Sequence, residues 1–149
     1  MSLDNDIRLL GRVPILAELD FDARRLLAFS AETRILRAGD ILFTRGEPSD
    51  GGYFVLSGSI ELSFSQEDIR SSQIVGPHWL IGELALIVRT QRPATGSARE
   101  PSSVLKISRD LFLRVLAEFP ECAVRIRNLL MPRLLDFVGD LQMSAKSVR

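Results

Sequence analysis

The chain has 149 residues, of which 46% are hydrophobic, 26% charged and 7% aromatic, the size and make-up of one compact domain spanning 1–149 with little length left for a second. Its 19 Lys+Arg balance 19 Asp+Glu, so no overall positive field draws in nucleic acid or an anionic lipid surface, and neither is expected as a direct partner. The polar, acidic start Met1–Asp6 is no secretion signal, and no stretch nears the roughly 18 uninterrupted apolar residues of a membrane span. With the lone Cys122 no internal disulfide can form, and with the single His78 no Cys/His cluster exists to hold zinc, so no metal site is expected and a reducing cytoplasm is.

From Ile7 to Phe29 apolar residues recur every three or four positions, interrupted near Pro14 and at Asp20. This predicts a lead-in of two short helices over about 7–30, with Asp20 as N-cap of the second and an end near Ser30. From Thr33 the pattern changes to short apolar runs: Thr33–Leu36, Ile41–Thr44, Tyr53–Leu56, Ser59–Phe64 and Ser103–Ile107. Gly39-Asp40, Gly46-Glu47-Pro48, Asp50-Gly51-Gly52, Gly58 and Gly76-Pro77 punctuate them. Many short strands so spaced predict an antiparallel β-sandwich or jelly roll over about 32–107.

After Ser108, a plausible N-cap, the helical period returns, and Phe119-Pro120 divides a C-terminal helix pair over about 109–142. In the second of these helices Leu130, Leu134, Phe137 and Leu141 form a stripe that either covers the domain's own sheet or makes a homodimer. Pro132 should kink or restart that helix. The tail from Gln142 to Arg149 has little to bury and is expected to fray. The fold class is therefore mainly β, with N-terminal helices and a C-terminal helix pair.

One segment carries chemistry: Ile81-Gly82-Glu83-Leu84-Ala85-Leu86, then Arg92-Pro93-Ala94-Thr95 six residues on. It resembles the phosphate-binding cassette of the cyclic nucleotide-binding domain, the module of the bacterial catabolite activator family, of cyclic-AMP-dependent kinase regulatory subunits and of cyclic-nucleotide-gated channels. The glycine-punctuated strands upstream and the paired helices downstream resemble the same family, from about Ile7 to Leu141.

The resemblance implies cAMP or cGMP as ligand, no cofactor and no catalytic residues. Arg92 would bind the cyclic phosphate through its planar fork, and Glu83 would accept from the ribose 2′-hydroxyl. Gly82 and Ala85 would keep the backbone and the wall beside the sugar clear. The amides of Leu84 and Ala85 would cradle the anion if Glu83–Leu86 form a helical turn. Pro93 departs from the Ala, Ser or Thr usual there. It has no N–H to give, so binding is weakened by about 1 kcal/mol or the donor is replaced by Thr95 or a water.

Plainer readings stand beside these. Arg92 and Glu83 are alternatively a mutual bridge closing a loop; His78 is a loop residue; Trp79 packs at a strand edge or stacks on a base; Cys122 is a small buried hydrophobe. Glu118, Glu121, Arg125 and Arg127 form a solvated helix face. Four functions compete. The first is a sensor that relays ligand state to an unidentified protein partner through the C-terminal helices. The second is a degenerate copy of the fold that serves only as an interaction or dimerisation module. A jelly-roll metalloenzyme lacks the histidines it needs, and a catabolite-type regulator lacks a helix-turn-helix segment after Leu141. No P-loop, Ser/His/Asp set or kinase motif occurs, so no enzyme is expected.

Overall fold

In the computed structural model residues 3–64 and 72–147 are described, with side chains along the last helix as far as Arg133 and at Leu135. Three helices open the chain: α1 (Leu3–Leu10), α2 (Pro14–Ala17) and α3 (Phe21–Ser30). Eight strands follow among the described residues: β1 (Glu32–Leu36), β2 (Ile41–Phe43), β3 (Gly51–Ser57), β4 (Ile60–Ser63), β5 (Ser72–Val75), β6 (Leu80–Ile81), β7 (Thr95–Ala98) and β8 (Ser102–Ser108). The chain ends in α4 (Arg109–Glu118) and α5 (Pro120–Ser147). Among these residues no helix is long and apolar enough to cross a membrane.

The lead-in holds one helix more than its periodicity predicts, because Pro14 opens α2 instead of merely interrupting, its fixed φ and missing N–H both suiting a first helical position. Asp20 occupies the N-cap position of α3 but makes no capping bond. Its carboxylate accepts from Arg125 Nη2 at 2.9 Å, and Arg125 also donates to the Glu18 carbonyl, so this half-exposed arginine ties α5 to the lead-in besides lying on the helix surface. Arg127, Glu118 and Glu121 are exposed as expected. Cys122 is buried and free.

The strands form two four-stranded antiparallel sheets, ordered β1-β8-β3-β6 and β2-β7-β4-β5. Their facing sides enclose one core, with Leu36, Tyr53, Val55, Ile81 and Val104 against Phe43, Ile60, Leu62, Val75 and Ala98. The outer side of the first sheet offers Phe54, Leu56, Leu105 and Ile107 to a second core built with the helices. Hence β3 is an unbroken apolar run: alternate side chains enter different cores, so both faces are buried. The jelly-roll expectation holds. Three strands lack the apolar runs that reveal the others; β7 reads Thr-Gly-Ser-Ala and buries only Gly96 and Ala98 inward, where Phe43 presses on Gly96.

Ser108 caps α4 as expected, accepting from Leu111 N at 3.1 Å. α5 differs from its expectation. It is one helix through Pro132 with no restart, and it remains helical to Ser147, five residues past the anticipated end near 142. Gln142, Met143, Ala145 and Lys146 are good helix formers, a local preference that favours helix there. Leu130 is 1% exposed and packs into the helical core; the side chains of Leu134, Phe137 and Leu141 lie outside the described residues.

Ser108→Ala removes the α4 cap and should lower stability by about 1 kcal/mol with no change of fold, read as a lower urea midpoint at unchanged slope.

Candidate ligand-binding site

The 82–95 segment leaves β6, makes a short 3-10 turn over Leu84–Leu86, and returns to β7. Gly82 has φ +84°, and a Cβ there would lie 2.8 Å from Arg92 Nη1 and 3.3 Å from the Gly51 carbonyl oxygen. Glycine is required both by the backbone conformation and by the guanidinium beside it. The anticipated turn therefore forms, and the Ala85 amide closes it on the Gly82 carbonyl at 3.1 Å. Ala85 is buried, and Leu84 and Glu83 are half-buried.

The returning arm is sewn to the Gly46–Ser49 turn. Arg92 N donates to Glu47 O, Gly46 N to Arg92 O and Ser49 N to Thr90 O, each at 2.8 Å. Pro93, without a donor, is exposed, and Ala94 is buried in the inter-sheet core. Thr95 Oγ1 accepts from Arg45 N at 2.9 Å, leaving the hydroxyl hydrogen for another partner.

These bonds hold Arg92 pointing inward. It is 4% exposed, with its guanidinium carbon 4.7 Å from the Phe43 ring centre and 5.3 Å from that of Tyr53. Among the described residues its one carboxylate contact, Asp50 Oδ1, is 3.7 Å from Nη2, and its Nε is buried without a hydrogen-bond partner. Burial pulls its pKa below the ordinary arginine value, opposed by Tyr53, Asp50 and Glu47. Asp50 is held more closely by Lys106, at 2.9 Å. That bond keeps the Asp50 carboxyl below the usual aspartate range against the opposing effect of burial. Asp50 and Glu47 stand near Arg92 as opposite charges and Arg109 as a like one.

Glu83 takes no part in that cluster. Its Oε1 accepts from Arg133 Nη1 on α5, so Arg92 and Glu83 each have another partner and do not bridge one another. Arg109, the first residue of α4, donates from Nε to the Ala85 carbonyl at 3.0 Å and from Nη2 to the Ser49 carbonyl at 2.6 Å. Both C-terminal helices thus grip the cassette through arginines. His78 lies in the turn before β6 with φ +72°, stacked on Phe54. Trp79, 50% exposed, sits at the sheet edge, where its carbonyl accepts from Val55 N. Among the described residues no group of three or more His, Cys, Asp or Glu is placed to hold a metal.

Asp50, Lys106, Arg109 and Arg133 escaped the motif reading. Lys106 had a signal: it stands between Leu105 and Ile107 in β8, so its parity sends it inward when theirs faces the helices. Arg133 had none, since its contact is 50 residues away in sequence.

A family model described as cyclic nucleotide-binding domain matches residues 33–119. Among solved structures, a cyclic nucleotide-binding-like protein from Brucella abortus is 38% identical, with TM-score 0.68, covering 76% of this chain and 98% of that one. The N-terminal domain of a transcriptional regulator from Streptomyces coelicolor is 31% identical, with TM-score 0.75, covering 89% and 94%. A lysophospholipase of Neurospora crassa is 28% identical over 114 residues, 75% of this chain and 8% of its own length. The chain spans 30% or less of the first curated relatives it matches.

A carboxylate whose folded pKa is depressed stabilises above its unfolded pKa, about 3.9 for aspartate, and stops doing so as pH falls through the lower folded value. The stability gap between wild type and Asp50→Asn should therefore be flat from about pH 5 to 7 and shrink below about pH 4, measured by urea denaturation across that range.

Proposed function

Because the chain belongs to the cyclic nucleotide-binding domain family, we propose that it is a non-catalytic regulatory domain that takes cAMP or cGMP in the 82–95 loop and passes its ligand state to a partner protein through α4 and α5. The supporting observation is the buried Arg92, whose Nε has no partner and whose single carboxylate contact is 3.7 Å away. A cyclic phosphate brings a negative charge to a guanidinium whose carboxylate contact is shared with Lys106, and its oxygens accept from a guanidinium fork.

In this reading Glu83 accepts from the ribose 2′-hydroxyl, the Leu84 amide adds a donor at the start of the turn, and the small Ala85 leaves room for the sugar. The Ala85 amide is already given to Gly82, and Pro93 has none. The Thr95 hydroxyl, still free to donate, stands in for the missing donor. Residence in the cytoplasm, in keeping with the free buried Cys122, belongs to the same proposal.

Transmission rests on Glu83. The carboxylate that receives the sugar is the one that holds Arg133, so ligand and α5 compete for it. The bound and free states then differ in how α5 is anchored, by no more than the ligand's differential affinity for them. A second copy as partner is favoured by Val124, Met131 and Leu135, 53%, 41% and 64% exposed; their spacing of seven and four residues sets them on one face of α5. Leu135→Asp should turn a dimer into a monomer by size exclusion with light scattering, and a monomeric wild type ends that reading.

Calorimetric titration with cAMP and cGMP tests the ligand. Arg92→Ala should weaken binding by about 3 kcal/mol or more and Glu83→Ala by about 1–3 kcal/mol. Arg133→Ala removes a competitor and should tighten binding by up to about fivefold, the scale of an exposed ion pair. Heat from neither nucleotide, or equal affinities for wild type, Arg92→Ala and Glu83→Ala, leaves only the degenerate interaction module.

A further inference from the structure

A cleft of about 600 Å³ opens between α1 and α3, lined by Asp4, Ile7, Arg8, Gly11, Arg12, Phe21 and Arg24, and it shares no residue with the 82–95 segment. Asp4, Ile7, Arg8 and Gly11 fall at helical spacing on one face of α1 and the turn after it, opposite Phe21 and Arg24 on the first turn of α3. Three arginines and one carboxylate therefore line the cleft, an excess of two positive charges in a chain whose formal net charge is zero.

None of the three is balanced. Among the described residues Arg8 donates only to Asn5 Oδ1, at 3.3 Å. Arg12 and Arg24 have no ion pair or side-chain hydrogen bond, and Arg24 Nε is buried without a partner. Arg24 is held in place sterically: a Cβ at Gly11 would lie 1.7 Å from its Nη1, so only glycine lets the guanidinium lie along the end of α1. Convergent, unneutralised guanidinium groups repel one another unless an anion joins them. At the first turn of α3 Asp20 gives its carboxylate to Arg125 and leaves the amides uncapped, their positive field being partly offset by Asp22 in the same turn.

We propose that this cleft binds a phosphomonoester group. A phosphomonoester presents a double negative charge and three acceptor oxygens, enough for three guanidinium forks, whereas a carboxylate engages one. Phe21, 54% exposed, offers its ring to the organic part, over a floor formed by the buried Ile7. The same chemistry occurs in a soluble phosphate ester and in a phosphatidic acid headgroup.

Both sources are tested with the full chain: calorimetry with phenyl phosphate, and co-sedimentation with phosphatidylcholine vesicles with and without phosphatidic acid. Saturable binding of phenyl phosphate that Arg12→Gln and Arg24→Gln each weaken by about tenfold supports the proposal with a soluble ligand. Phosphatidic-acid-dependent sedimentation lost in the same variants supports it with a lipid. Arg12 is exposed and without partners, so its variant folds even if Arg24→Gln loosens α1 against α3. Arg92→Ala should leave this binding unchanged, which separates it from the nucleotide site. No binding of either probe, binding insensitive to both glutamine variants, or binding abolished by Arg92→Ala overturns the proposal.

Discussion

The geometry of the site depends on keeping the Arg92 guanidinium inside a β-roll while its charge is only partly met. Two aromatic faces, Phe43 and Tyr53, supply attraction without hydrogen bonds. The one carboxylate within reach is shared, and more tightly, with Lys106. Fully neutralised, such a cation would be a structural ion pair with no capacity left. Half-satisfied, with Nε unpartnered, it is costly to keep unliganded and gains by meeting an anion. The surrounding backbone has little freedom to relieve this. The 46–49 and 90–92 arms are bonded together on both sides of Arg92, and the chain opposite the guanidinium is Gly82, where any side chain would displace it.

The two C-terminal helices are joined to this loop in different ways. Arg109 bonds two backbone carbonyl oxygens, those of Ala85 and Ser49, so α4 is tied to the backbone of the turn itself. Arg133 bonds a side-chain carboxylate that a ribose hydroxyl can also use. That link is exchangeable, and as a pair between a half-exposed arginine and a partly exposed glutamate it is weak. A weak exchangeable contact suits a switch: a strong one would require more differential binding energy than a single small ligand supplies.

How much of this was legible follows from which interactions are local. The Gly-Glu-Leu-Ala-Leu run, its 3-10 turn, the Ser108 cap and the doubly buried β3 are set by residues within a turn or an alternation of one another, and the sequence displays them. β7 was not legible because its inward residues are Gly96 and Ala98: the space they leave is filled by Phe43 from another strand, so the apolar signal sits on the partner. Asp20 reads as a cap by local rules, yet Arg125, 105 residues on, claims its carboxylate. The tail reads as frayed because little in it is apolar, but Gln142, Met143, Ala145 and Lys146 favour helix, and α5 runs to Ser147. The site divides likewise: Arg92 and Glu83 stand in the motif, while Asp50, Lys106, Arg109 and Arg133 reach it only through tertiary folding.

A formal net charge of zero excludes a global field but says nothing about where charges lie. The chain concentrates positive charge in two places that differ in dielectric setting. Arg92 is 4% exposed, so its interaction with an anion is stronger and less screened by salt than one at the surface. Along α1 and α3, Arg8 and Arg12 are exposed, and only Arg24 is partly withdrawn from solvent. Attraction there reaches further and falls steeply as ionic strength rises. On the two proposals, the buried site reads shape and hydrogen-bond complementarity, whereas the exposed cleft reads charge number.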